Sequence, residues 1–101
     1  MKLILADKSE YEITNFNFYY SELQEETPNG IYEARFDIPK NPSELLEEIR
    51  DKFTNENIAE IIVIKTEDGI DTTMTYNFSQ LFSISMNIND NFGSINVRLS
   101  E

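Results

Sequence analysis

Histidine, cysteine and tryptophan are absent from this 101-residue chain, and glycine and proline occur three times each. Without His or Cys, the residues that most often serve as general base, thiol nucleophile or transition-metal ligand are missing, so Ser-His, Cys-His and zinc mechanisms fall away together. The three glycines form no GxGxxG, GxxxxGK[ST] or GxSxG arrangement, which removes phosphate cradles and the nucleophile elbow. No disulfide framework exists, and a reducing cytoplasm is the expected compartment. No stretch approaches the roughly 20 apolar residues of a membrane span, and Leu3 to Ala6 is too short for the apolar segment of a signal peptide. Basic residues are also few: 8 Lys and Arg against 19 Asp and Glu leave a net charge of -11. Direct nucleic-acid binding needs Lys and Arg against phosphate, so it is not expected.

The length suits a single domain over 1–101. The most evenly apolar stretch is Ile58 to Lys65, with four β-branched residues from Ile61 to Ile64. A short apolar run of this kind predicts a central strand buried on both faces. Before it, Lys2 to Ala6 and Glu10 to Ile13 read as a hairpin turning at Asp7-Lys8-Ser9. Tyr11 and Ile13 share one parity while Phe16, Phe18 and Tyr20 take the other, so a bulge near Thr14 and Asn15 is expected to reset the register. Ser21 to Gly30 reads as an exposed loop ending in Pro28-Asn29-Gly30. Tyr32, Ala34, Phe36 and Ile38 then alternate with Glu33, Arg35 and Asp37, a strand with one wet face that should pair with Phe16 to Tyr20.

Asn41-Pro42-Ser43-Glu44 places a capping Asn, a Pro at the first helical position and a Glu three residues after the cap. Leu45, Leu46, Ile49 and Phe53 continue as one apolar stripe, which predicts an amphipathic helix from 42 to about 54. After the central strand, Asp68-Gly69 signals a type I′ hairpin that brings Ile70 to Tyr76 back alongside. Phe82, Ile84, Met86 and Ile88 then share a face, and a turn at Asn89-Asp90-Asn91 leads to Ile95, Val97 and Leu99. The expected fold class is α+β: a mostly antiparallel sheet of about six to seven short strands, with the helix packed on the one face centred on Ile61 to Ile64.

The acidic side chains are concentrated, since Glu22 to Asp68 holds 13 acidic and 5 basic residues while Gly69 to Glu101 carries a net of only -2. Glu44, Glu47, Glu48 and Asp51 stand about 5 to 6 Å from helical neighbours three or four positions away. With Glu22, Glu25, Glu26 and Asp37 they are expected to present a negative surface to a protein partner with a basic surface. Glu48 with Lys52 and Glu47 with Arg50 have the spacing of ion pairs, which leaves Glu44 and Asp51 the less compensated. Tyr19, off the parity of its aromatic neighbours, is the candidate anchor. The paired carboxylates lie in turns or on the polar helix face, not in the apolar pocket that raises a catalytic acid, so catalysis and cofactors are not expected. Asn87, Asn89, Asp90 and Asn91 lack the Gly and Glu positions of a calcium loop.

The segments Asn57 to Gly69 and Leu81 to Asp90, with the opening Met1 to Ile13, resemble small acidic proteins encoded by phages and prophages of Gram-positive bacteria. The resemblance implies a virion or tail component or an inhibitor of host defence. Acidic anti-CRISPR proteins, which occupy basic nucleic-acid channels, are of the second sort. The first sort implies a homo-oligomer or virion part held through sheet edges and aromatics.

Overall fold

A computed structural model of the protein describes residues 1–21, 31–39, 43–88 and 92–100. Within them the chain runs β1 (Lys2–Ile4), β2 (Glu10–Glu12), β3 (Asn15–Ser21), β4 (Ile31–Pro39), α1 (Ser43–Lys52), β5 (Ile61–Glu67), β6 (Ile70–Tyr76), β7 (Gln80–Ile88) and β8 (Phe92–Ser100). The strands form two four-stranded sheets, ordered β2-β1-β5-β6 and β3-β4-β8-β7, with every pairing antiparallel. The expected α+β class stands, but one sheet of six or seven strands becomes two sheets of four.

The parity change between Ile13 and Phe16 explains the difference. It is a crossing between sheets, with no bulge inside a longer strand. Ile13 N–H donates to Met1 O in the first sheet (3.0 Å), and the next amide, Thr14 N–H, donates to Asp37 O in the second (2.7 Å). Past that point Phe16, Phe18 and Tyr20 face Phe36, Ala34 and Tyr32 across the β3–β4 ladder. The rings then bridge back to the first sheet, with Phe18 and Tyr76 centroids 4.6 Å apart and Phe16 and Tyr76 5.9 Å apart.

Both inner faces enter one core. Leu3, Tyr11, Ile61 and Val63 come from the first sheet and Ala34, Phe36, Ile38, Ile95, Val97 and Leu99 from the second. The run Ile61 to Ile64 is therefore buried on one face only. Ile61 and Val63 point into the core, whereas Ile62 and Ile64, beside Ile4 and Lys2 of β1, remain partly exposed. A sheet that shares its core with a second sheet keeps its own outer face in solvent.

The helix is also placed differently from expectation. Leu46, Ile49 and Phe53 are fully or almost fully buried, but the strands closest to α1 are β8 and β7 of the second sheet, not β5. Phe53 meets Phe36 with centroids 5.9 Å apart. The helical hydrogen-bonding stops at Lys52, where Phe53 N–H reaches Arg50 O and Thr54 N–H reaches Lys52 O. The proposed cap, Asn41-Pro42, lies outside the described residues.

The β5–β6 hairpin turns on two residues, with Glu67 opposite Ile70 and positive φ at Asp68 (52°) and Gly69 (77°), as the Asp-Gly pair predicts. In β7 the register shifts between Leu81 and Ser83. Leu81, not Phe82, therefore shares the inner face with Ile84 and Met86, because a bulge inserts one residue and exchanges the faces beyond it.

Candidate partner-binding surface

The helix presents Glu44, Glu47, Glu48 and Asp51 to solvent opposite its buried stripe. The cations expected to balance them are engaged elsewhere. Lys52 Nζ lies 3.0 Å from Asp7 Oδ2 in the β1–β2 turn, and Arg50 Nη2 lies 3.4 Å from Asp51 Oδ1. Glu44, Glu47 and Glu48 make no ion pair among the described residues. The helix carboxylates without an ion pair are thus these three glutamates, in place of Glu44 with Asp51, while the Glu48 charge still acts on Lys52 at longer range. Lys52 is drawn away because Asp7 is already oriented: its Oδ1 accepts the Ser9 amide (2.9 Å) and the Ser9 hydroxyl, which leaves Oδ2 towards the helix.

The same contacts set the titration of the turn. The Ser9 side-chain and backbone hydrogen bonds, then Lys52, hold the Asp7 carboxyl well below the usual carboxylate range. Asp7 in return raises the Lys52 ammonium. Burial pushes the Tyr11 phenol up, and the Glu48 charge adds to that shift. The Glu48 charge thus acts on Tyr11 of β2 across from the helix.

Asn57 holds the base of this surface. It is 9% exposed. Its Nδ2 donates to Lys52 O (2.8 Å) at the end of the helix, and its Oδ1 accepts the Asp7 amide (2.7 Å). Its own carbonyl accepts Ala6 N–H (3.0 Å). One buried amide thus ties the helix terminus to the turn that captures Lys52. Ala6, Asp7, Asp51, Lys52, Glu56 and Asn57 line a depression here, in which Asp7 is bound by Lys52 and by the Asn57 side chain at its amide.

The remaining candidate residues are not part of this surface. Asp37 lies on β4 and is 8% exposed, with its carboxylate held by Arg35 Nε (3.0 Å) and Asn15 Nδ2 (3.2 Å). It is a structural carboxylate and is not available as a contact. Tyr19 is 58% exposed, and on edge strand β3 it pairs with Glu33, on the face opposite to Phe18 and Phe36. Since Phe53 of α1 packs on Phe36, Tyr19 and the acidic helix occupy opposite sides of the second sheet. Glu22, Glu25 and Glu26 lie outside the described residues.

Asn17, Tyr19, Arg35, Ser83, Ser85, Asn96 and Arg98 line a polar hollow on the outer face of the second sheet. Arg35 is held by Asp37 (3.0 Å), whereas buried Arg98 Nε lies 3.4 Å from Glu33 Oε1 without making a hydrogen bond among the described residues. Among the described residues no group of three or more acidic, His or Cys side chains is placed to hold a metal ion, and no helix is long and apolar enough to cross a membrane. No protein family, curated protein or solved structure matches this chain.

Proposed function

We propose that the protein is a non-catalytic binding module that blocks a basic, nucleic-acid-handling protein with the exposed acidic face of α1. The observation that carries this reading is the set Glu44, Glu47 and Glu48 without an ion pair among the described residues, left so because Lys52 and Arg50 pair with Asp7 and Asp51. Three like charges on one rigid helix attract a Lys- and Arg-lined groove, accelerate encounter and repel acidic competitors. The resemblance to phage-encoded proteins adds a context in which such a blocking protein acts on a bacterial host.

Immobilised protein incubated with a Gram-positive bacterial lysate tests the reading. The wild type should retain a nucleic-acid-binding protein that is released by salt and by added DNA or RNA, and Glu44→Lys with Glu47→Lys and Glu48→Lys should retain far less of it. Equal retention by the variant would sink the proposal.

A second reading, an assembly protein held through sheet edges and aromatics, draws on Tyr19 and Tyr20, which are 58% and 56% exposed on edge strand β3. It predicts self-association that persists at high salt, which light scattering measures.

A further inference from the structure

Strand β7 is an outer strand of the second sheet, and like β6 beyond Asp71 it leaves an uncharged edge. Edge strands expose unpaired N–H and C=O groups, and proteins ordinarily blunt them with charge, brevity, bulges or covering groups. Edge strand β2 has three residues and carries Glu10 and Glu12. Edge strand β6 carries Asp71, whose carboxylate accepts the Thr66 hydroxyl at 2.6 Å. Edge strand β3 has its Phe16 amide closed by Asn15 Oδ1 (2.9 Å), and its Phe16 and Phe18 rings pack on Tyr76. At β7 the protection is confined to the start, where Asn55 Oδ1 accepts the Leu81 amide (2.9 Å) and the bulge follows. From Ser83 to Ile88 the ladder is regular, and among the described residues no side chain bonds to its backbone. The chain from Thr72 to Asn89 contains no Asp, Glu, Lys or Arg, despite the net charge of -11.

We infer that β7 pairs antiparallel with β7 of a second copy of this chain, about a two-fold axis at Ser85. The order of residues fits its own reverse. In this register Ser83 faces Asn87 and Ile84 faces Met86, so outer-face polar residues meet polar ones and inner-face apolar residues meet apolar ones. Phe82 and Ile88, 38% and 51% exposed, are two of the five large apolar side chains left in solvent among the described residues. Ile88 is bare because its neighbour across the ladder is Gly93. The five residues from Ser83 to Asn87 that pair in this register all lie in the regular ladder beyond the bulge. No like charges meet along the strand itself. The pairing would join two four-stranded sheets into one of eight strands.

The inference rests on the edge and not on the acidic helix. Sedimentation velocity of the full chain over a wide concentration range should give a dimer of twice 11.8 kDa. Ser83→Lys with Asn87→Lys brings like charges opposite one another and should abolish the dimer, with far-UV circular dichroism unchanged. Ser83→Glu with Asn87→Lys brings opposite charges together in the same register and should keep it. A monomer at every concentration, a dimer indifferent to the double-lysine change, or species heavier than a dimer would each overturn the pairing. None of these results bears on capture of a basic partner by α1, so the two proposals fail separately.

Discussion

Asn57 and Asp7 show how much of the acidic surface depends on residues that carry no functional signal. Asp7 takes Lys52 away from Glu48, and Asn57 fixes both the Asp7 amide and the last helical carbonyl. Loss of the Asn57 side chain would leave that amide and that carbonyl without their partners at a site 9% exposed. Unsatisfied groups of this kind cost about 1–3 kcal/mol. Asn57→Ala should therefore lower stability by about that amount, read as a lower urea midpoint at unchanged slope. A change of only a few tenths of a kcal/mol would mean that water replaces the amide without cost. The carboxylates and ammonium groups of α1 could be read from helical spacing, but their pairing could not. An i,i+4 rule compares neighbours on one helix, whereas the stronger competitor for Lys52 is 45 positions away. Asp37 failed as a candidate for the same reason: its alternation marks an outward position, but Arg35 and Asn15 close over it.

Elements whose chemistry is local were legible in order of how local that chemistry is. The β5–β6 turn needs two consecutive residues at positive φ, and Asp68-Gly69 is a strong two-residue signal for that requirement. A Cβ on Gly69 would meet nothing within 4 Å, so the cost of adding one is conformational only. Gly69→Ala should destabilise the protein by roughly 1 kcal/mol, the left-handed penalty less the entropy removed from the unfolded chain. Chemical denaturation of the variant checks it, and a neutral or stabilising result would show that the hairpin tolerates another turn type. The helix stripe was equally clear, yet its docking site was not. Leu46, Ile49 and Phe53 specify a face but not which sheet receives it. The strand pairs within each sheet could be read from alternation, while the division into two sheets lay in one detail, the parity change after Ile13. Read along the chain, that change is indistinguishable from a bulge; only Thr14 bonding to Asp37 separates the two.

At the scale of the whole molecule, the net charge of -11 is confined to a body of 39 × 30 × 24 Å. At about 0.01 M salt the screening length is about 30 Å, so nearly every carboxylate acts on every other, whereas at about 0.15 M it shrinks to about 8 Å. The ion pairs that salt also weakens are exposed contacts, such as Lys65–Glu67 at 2.9 Å and Lys52–Asp7 at 3.0 Å. Such exposed pairs contribute little, and their partners stand well inside either screening length. Long-range repulsion is therefore removed by salt more completely than short-range attraction. The melting temperature should rise between about 0.01 and 0.15 M monovalent salt, by about 4–8 °C for each kcal/mol of repulsion relieved. The measurement belongs at the lowest workable protein concentration, because relief of repulsion also favours pairing of two copies through β7 and would add its own stabilisation. A melting temperature that falls with salt would mean that the local pairs, Lys52–Asp7 and Arg35–Asp37 foremost, outweigh the repulsion among the acidic side chains. It would also imply a charge distribution too balanced for the helix to attract a basic partner at range.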